Sequence, residues 1–76
     1  MTLDTFLRDF ESELQLAPST IERSTLLKNV PRFDSMGRLS LMSMVDSNYD
    51  VVIDADALDQ CDTVESLYDM ISRSRI

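Results

Sequence analysis

The stretch Phe33-Asp34-Ser35-Met36-Gly37 sets a serine hydroxyl between a proline-containing loop and a long apolar run. A serine at a loop-to-helix junction is a point where a phosphate-linked group can be attached, because the helix presents its positive end and free backbone N–H groups there. Nucleophilic catalysis by that serine would call for a histidine base, and the chain contains no histidine. Asp54 and Asp56 lack the glycine turn and terminal glutamate of a calcium-binding loop, so capping is their expected role and no metal site is expected. Gly37 is the single glycine, which excludes a glycine-rich phosphate cradle. The plain use of Asp34 or Ser35 is helix N-capping. Both uses are compatible, with Asp34 capping and Ser35 exposed.

Composition narrows the field in the same direction. The 76 residues, 43% of them hydrophobic, allow one compact domain spanning 1–76 and leave no room for a catalytic cleft between lobes. A domain near this size buries only about 60% of its unfolded surface, so a binding or carrying role fits better than catalysis. There are 14 acidic and 7 basic residues, a net charge of −7. Residues 1–33 hold five acids and four bases, whereas residues 34–76 hold nine acids and three bases. Nucleic acid is disfavoured as a partner, since phosphate binding needs a basic face. The acidic excess favours solubility and attraction to basic partner surfaces. Cys61 is the lone cysteine, which rules out an internal disulfide and suits a reducing, cytoplasmic compartment. The N-terminus lacks a leader pattern and no apolar run approaches about 18 residues, so no membrane insertion is expected. A freestanding monomer is the expectation.

The elements that must hold the serine follow from apolar spacing. Leu3, Phe6, Leu7, Phe10 and Leu14 trace one helix face and predict a helix over residues 3–15, stopped by Pro18 and the Ser19-Thr20 pair. The next stretch, Gln15 to Asp34, carries Ile21, Leu26, Leu27, Val30 and Phe33, so it should lie against the core, with room for a helical turn around Ile21–Leu27. A second helix is predicted from Ser35 to about Ser47. At 100° per residue, Leu41, Met42, Val45 and Tyr49 gather on the core side, with Met36, Ser40, Ser43 and Ser47 opposite and Leu39 at the edge. Gly37 near the helix start either gives local freedom or is simply tolerated. Val51-Val52-Ile53 reads as an extended plug rather than a strand, for want of a pairing partner. A short helix over Ala57–Cys61 is expected, capped by Asp54 or Asp56. Asp62 with Glu65 resembles a capping box for a last helix over Thr63–Arg73, whose stripe is Val64, Leu67, Tyr68 and Ile71, with Arg73 and Arg75 at its negative end. The predicted fold class is all-α, a small bundle of three main helices plus one short helix.

At these positions the chain resembles the acyl carrier proteins and related thiolation domains. The resemblance rests on Asp34-Ser35-Met36, then Leu41, Val45 and Tyr49, then Ile53, then Thr63-Val64 with Leu67 and Ile71. It runs without a gap from Asp34 to Ile71, while the first helix and long loop agree in layout. It implies that a separate phosphopantetheinyl transferase, using coenzyme A and a divalent metal, attaches 4′-phosphopantetheine to Ser35. The arm's thiol would then carry acyl groups as thioesters between acyl-loading, acyl-transfer or condensing enzymes, so the chain itself is no enzyme. The same resemblance implies a partner-recognition surface of Asp34, Met36, Leu39 and Asp46. Carriers of fatty-acid synthesis place acids along the second helix, where this chain has Gly37, Arg38, Ser40 and Ser47. A dedicated lipid, polyketide or other specialised pathway is therefore the expectation. Asp-Ser-Met-Gly also resembles D-alanyl carriers, and peptidyl carriers use a similar serine, so an aminoacyl cargo is the alternative. Outside this class stands an unmodified helical interaction module whose Met36 and Leu39 dock into a partner groove.

Overall fold

A computed structural model describes residues 2–74. They form four helices, α1 (Leu3–Glu13), α2 (Ser35–Tyr49), α3 (Ala55–Asp59) and α4 (Val64–Ser74), with a 3₁₀ turn at Leu27–Asn29. The all-α expectation of three main helices and one short one matches this order.

α1 begins where the Thr2 hydroxyl accepts the Thr5 N–H at 3.2 Å, and it buries Phe6, Leu7 and Phe10. It ends at Glu13, two residues before the predicted limit, and Pro18 does not end it. Gln15 takes the left-handed conformation at φ 58°. The Leu16 N–H then reaches back to the Glu11 carbonyl at 2.8 Å and the Gln15 N–H to the Ser12 carbonyl at 3.1 Å. This is the paired closure by which a helix satisfies its last carbonyls, achieved here with glutamine in place of glycine. The chain turns back at once, so residues 16–34 can cover the bundle.

Most of that long connection lies against the core as expected, with Ile21, Leu27 and Val30 buried and Phe33 half-buried, but Leu26 is exposed. Its helical turn falls at Leu27–Asn29 instead of Ile21–Leu27, because Ile21 is held elsewhere. The Ile21 N–H donates to Glu11 Oε2 at 3.1 Å, and Glu11 is only 2% exposed. The other carboxylate oxygen, Oε1, lies 2.9 Å from Arg8 Nε but outside hydrogen-bond alignment, so that contact is an ion pair without a directed bond. A buried acid on the core face of α1 thus ties the loop down through its backbone. The loop's far end fastens α4: Val64 N–H donates to Thr25 O and Glu65 N–H to Arg23 O, both at 3.0 Å, while Leu27 N–H donates to Asp62 O at 2.9 Å. Only an isolated antiparallel bridge, Leu26 to Thr63, results.

These bonds also correct the expected capping box. With two of α4's first amides taken by loop carbonyls, the Thr63 hydroxyl caps the helix by accepting the Ser66 N–H at 3.1 Å. Asp62 stays outside. Arg73 does reach the helix end, its Nε donating to the Asp69 carbonyl at 3.3 Å. Arg75, expected alongside it, lies outside the described residues.

α2 runs to Tyr49, two residues past the predicted end, and stops at Asp50 in the left-handed region, φ 58°. Its buried face comprises Gly37, Leu41, Met44, Val45 and Tyr49. Met44 takes the core place expected for Met42, which is half-buried. The core face is therefore turned by roughly 40° from the predicted one at 100° per residue. α1 packs against α2, and the 51–58 segment adds Val51, Ile53 and Leu58 to the same core cluster. In that segment Val51 and Ile53 are buried and Val52 faces solvent at 84% exposure, the alternation of an extended plug. α3 begins two residues earlier than predicted, with Asp54 Oδ1 accepting the Ala57 N–H at 2.8 Å and Leu58 buried beneath it.

Phe6 is the hub of the core. Its ring lies 5.8 Å from Phe10, 5.9 Å from Tyr49 of α2 and 5.7 Å from Tyr68 of α4, centroid to centroid. Such tilted and edge-on approaches suit the aromatic quadrupole. Tyr49 also donates its hydroxyl to Asp9 Oδ2 at 2.6 Å, fixing α2 on α1. With α2 fixed on α1, its first residue is presented in a defined place.

Candidate functional site

Ser35 is the first residue of α2 and is exposed. Four contacts set its position. Asp34 stands in extended backbone as N-cap, its Oδ1 accepting the Gly37 N–H at 3.0 Å. Its carbonyl accepts the Arg38 N–H at 2.8 Å, the first bond of the helix. Upstream, Phe33 donates its N–H to the Val30 carbonyl at 3.3 Å and packs 5.6 Å from the Phe10 ring. The capping role thus falls to Asp34, and Ser35 is left facing solvent.

Gly37 has a definite structural reason that its sequence context does not disclose. A Cβ there would stand 2.1 Å from the Arg32 carbonyl oxygen and 3.2 Å from Leu14 Cδ2. Arg32 itself sits at φ 62°, in the left-handed region that costs a non-glycine residue about 1 kcal/mol. The absent side chain lets the loop backbone press onto the first turn of α2. Gly37 is a contact point, so neither of the two expected readings, local freedom or mere tolerance, describes it.

No side chain among the described residues hydrogen-bonds the Ser35 hydroxyl, and none of them converge as a metal-binding cluster. The first amides of α2, at Ser35 and Met36, have no intrahelical acceptor by helix geometry. An anionic group on Ser35 Oγ would therefore meet N–H donors and the positive end of a 15-residue helix. The remaining expected residues are arranged along the helix. Met36 is 78% exposed and Leu39 62%, and Asp46 is exposed. At 100° per residue Ser35, Leu39 and Asp46 share one stripe, with Asp46 about 16 Å along the axis from Ser35 and Met36 turned away from it.

Beside Ser35 an open cleft of about 430 Å³ runs between α2 and α3, lined by Ser35, Arg38, Leu39, Met42, Ala55 and Asp59. Arg38 Nη2 pairs with Asp59 Oδ1 across it. Both residues also line a second cleft of about 200 Å³ that reaches Phe33, Leu58 and Cys61. Nothing in the spacing foretells this pair, whose members are 21 residues apart. Cys61 is half-buried; burial first, and then the neighbouring Asp62 carboxylate, push its thiol above the ordinary range, partly offset by Arg73.

A family model described as the phosphopantetheine attachment site matches residues 4–71. The fold is similar to the solution structure of a holo acyl carrier protein from Geobacter metallireducens, at 19% identity and a TM-score of 0.80, covering 96% of this chain and 84% of that one. No curated protein matches the chain. Because the family match spans nearly all of its helices, the chain belongs to the phosphopantetheine-attachment family, carrier proteins whose prosthetic group is covalently bound 4′-phosphopantetheine.

Proposed function

We propose that Ser35 Oγ is the attachment point and that the chain carries acyl units between separate enzymes without catalysing a reaction itself. The observation that supports this most is the exposed, unengaged hydroxyl at the first position of α2, with Asp34 relieving it of the capping role. The residues present fit a phosphodiester: donors at the helix start, Arg38 in the adjoining cleft, and open solvent for a long substituent. When bound, the group supplies a terminal thiol that holds acyl cargo as a thioester. Ser35 needs no base of its own, because a phosphopantetheinyl transferase activates it. The chain's own contribution is proximity, since a tethered cargo reaches each partner at high effective concentration.

The docking surface for partners in this reading is the stripe Ser35, Leu39 and Asp46, with Asp34 before it and Met36 beside it, about 100° round the helix from Ser35. Two of these are large apolar side chains left in solvent, and the two acids suit basic partner surfaces. The pathway is a dedicated one: α2 has no acid in its first turn and bears Arg38, while the acids Asp54, Asp56 and Asp59 belong to the α3 segment. The lone cysteine suits work in the cytoplasm.

Incubation of the purified chain with coenzyme A, magnesium and a broad-specificity transferase, followed by intact mass, tests the assignment. One phosphopantetheine should be added to the native chain and none to Ser35→Ala. An unchanged native mass with several transferases, or modification of Ser35→Ala, overturns it.

A further inference from the structure

Three features of the α2–α3 junction are not required by attachment alone. Arg38 lies three residues after Ser35 on the same helix, and both line the same cleft. Its guanidinium is committed to Asp59, the last residue of α3, in a pair whose side chains are 32% and 60% exposed. α3 is only five residues long, too short to persist by its own hydrogen bonds. It is anchored by Leu58 in the core and by the Asp59 ion pair.

We propose that Arg38 is a cation with two alternative anions: Asp59 while Ser35 is bare, and the phosphodiester once the prosthetic group is joined to Ser35. The inference rests on Ser35 being the attachment point. Side chains three residues apart on a helix have Cβ atoms about 5–6 Å from each other, so a phosphate on Ser35 comes within the guanidinium's reach without backbone movement. The planar guanidinium fork matches phosphate oxygens in two-point geometry. Asp59, by contrast, is brought near only through α3, and holding it there keeps that short helix in place. A half-exposed ion pair is weakly held, and an anion fixed on the same helix, at its positive end, competes well against it.

The consequence is a link between modification and the state of α3. Arg38 and Asp59 line both clefts, so their separation joins the space beside Ser35 to the space over Leu58 and Phe33. Lys28 also lines the second cleft. Attachment at Ser35 thereby loosens α3 at a distance from the attachment point.

The test compares isotope-labelled chain before and after modification, with intact mass read on the same samples. Arg38 Nε–H should shift on modification, and the Ala57, Leu58 and Asp59 amides should exchange roughly two- to fivefold faster, the range that loss of such a pair gives. Leu67 in α4 serves as an unchanged reference. In the unmodified chain Asp59→Asn should produce the same acceleration, and Arg38→Gln should remove any further change on modification. A chain that gains the group while the Arg38 resonance and α3 exchange stay fixed overturns this inference and leaves attachment standing. Asp59→Asn exchanging like the native chain overturns it as well. A native mass that never changes overturns both readings together. Should Arg38→Gln resist the transferase, the Asp59→Asn comparison decides.

Discussion

Gly37→Ala probes how the loop meets the start of α2. In an open helix the change would stabilise, since alanine is favoured over glycine by about 1 kcal/mol. Here the new Cβ would stand 2.1 Å from the Arg32 carbonyl oxygen, about 1 Å inside a normal carbon–oxygen approach of about 3.3 Å. The obstacle is main chain, and Arg32 already occupies the left-handed region at φ 62°, so it has little latitude to retreat. Leu14 Cδ2 at 3.2 Å closes a second side. Forced overpacking costs about 1–3 kcal/mol, and a backbone obstacle belongs in the upper half of that range. After subtracting the helical gain, the net destabilisation is about 1–2 kcal/mol, which lowers Tm by about 4–16 °C in a domain of this length. Urea and thermal unfolding followed by circular dichroism read it directly. Because the displaced backbone leads straight into Asp34, transferase modification of Ser35 should slow in the same variant. A Gly37→Ala protein as stable as the native one, or more so, would refute the close approach and the reason given for the glycine.

Other expectations follow from burial and partners. Leu41→Ala should cost about 2–5 kcal/mol and Val45→Ala somewhat less, because both side chains are fully buried; Leu39→Ala should leave Tm within a degree or two while weakening transfer to partners, and equal thermal losses would count against the assigned face. Glu11→Ala strands the buried Ile21 N–H and should cost about 1–3 kcal/mol in denaturant unfolding; a loss below about 0.5 kcal/mol would show that the loop is held by other means. Alkylation of Cys61 should be slower than that of a free thiol at mildly alkaline pH and reach half its limiting rate above the ordinary thiol range, since burial and then Asp62 raise its pKa. The folded chain holds that proton more tightly than the unfolded one, so this group's contribution to stability is full below the unfolded pKa and fades as pH rises through the folded value. Alkylation titrating at or below the ordinary value would contradict the assignment.

Much of the fold was legible because its main determinants are local. The stripes Phe6-Phe10 and Val64-Leu67-Ile71 need only helical periodicity to be seen, and Asp34 announces α2 by the chemistry of capping. The place of Ser35 at a helix start is legible for the same reason, since it is a property of neighbouring residues. Boundaries were less secure. α1 closes through left-handed Gln15 rather than at Pro18, and which residue types adopt that conformation is only weakly encoded. Thr63 displaced Asp62 as the α4 cap because loop carbonyls had already claimed two amides there.

Sequence alone determined the helical class, the segment order and the serine set at a helix mouth, because each of these is written within a few residues of itself. Tertiary structure decided the rotation of α2 that buries Met44 in place of Met42, the burial of Glu11 against the Ile21 amide, and the pairing of Arg38 with Asp59. Those three depend on residues distant in the chain meeting in space. Helical periodicity gives the angle of a side chain about its own axis, and only packing fixes what lies on the other side.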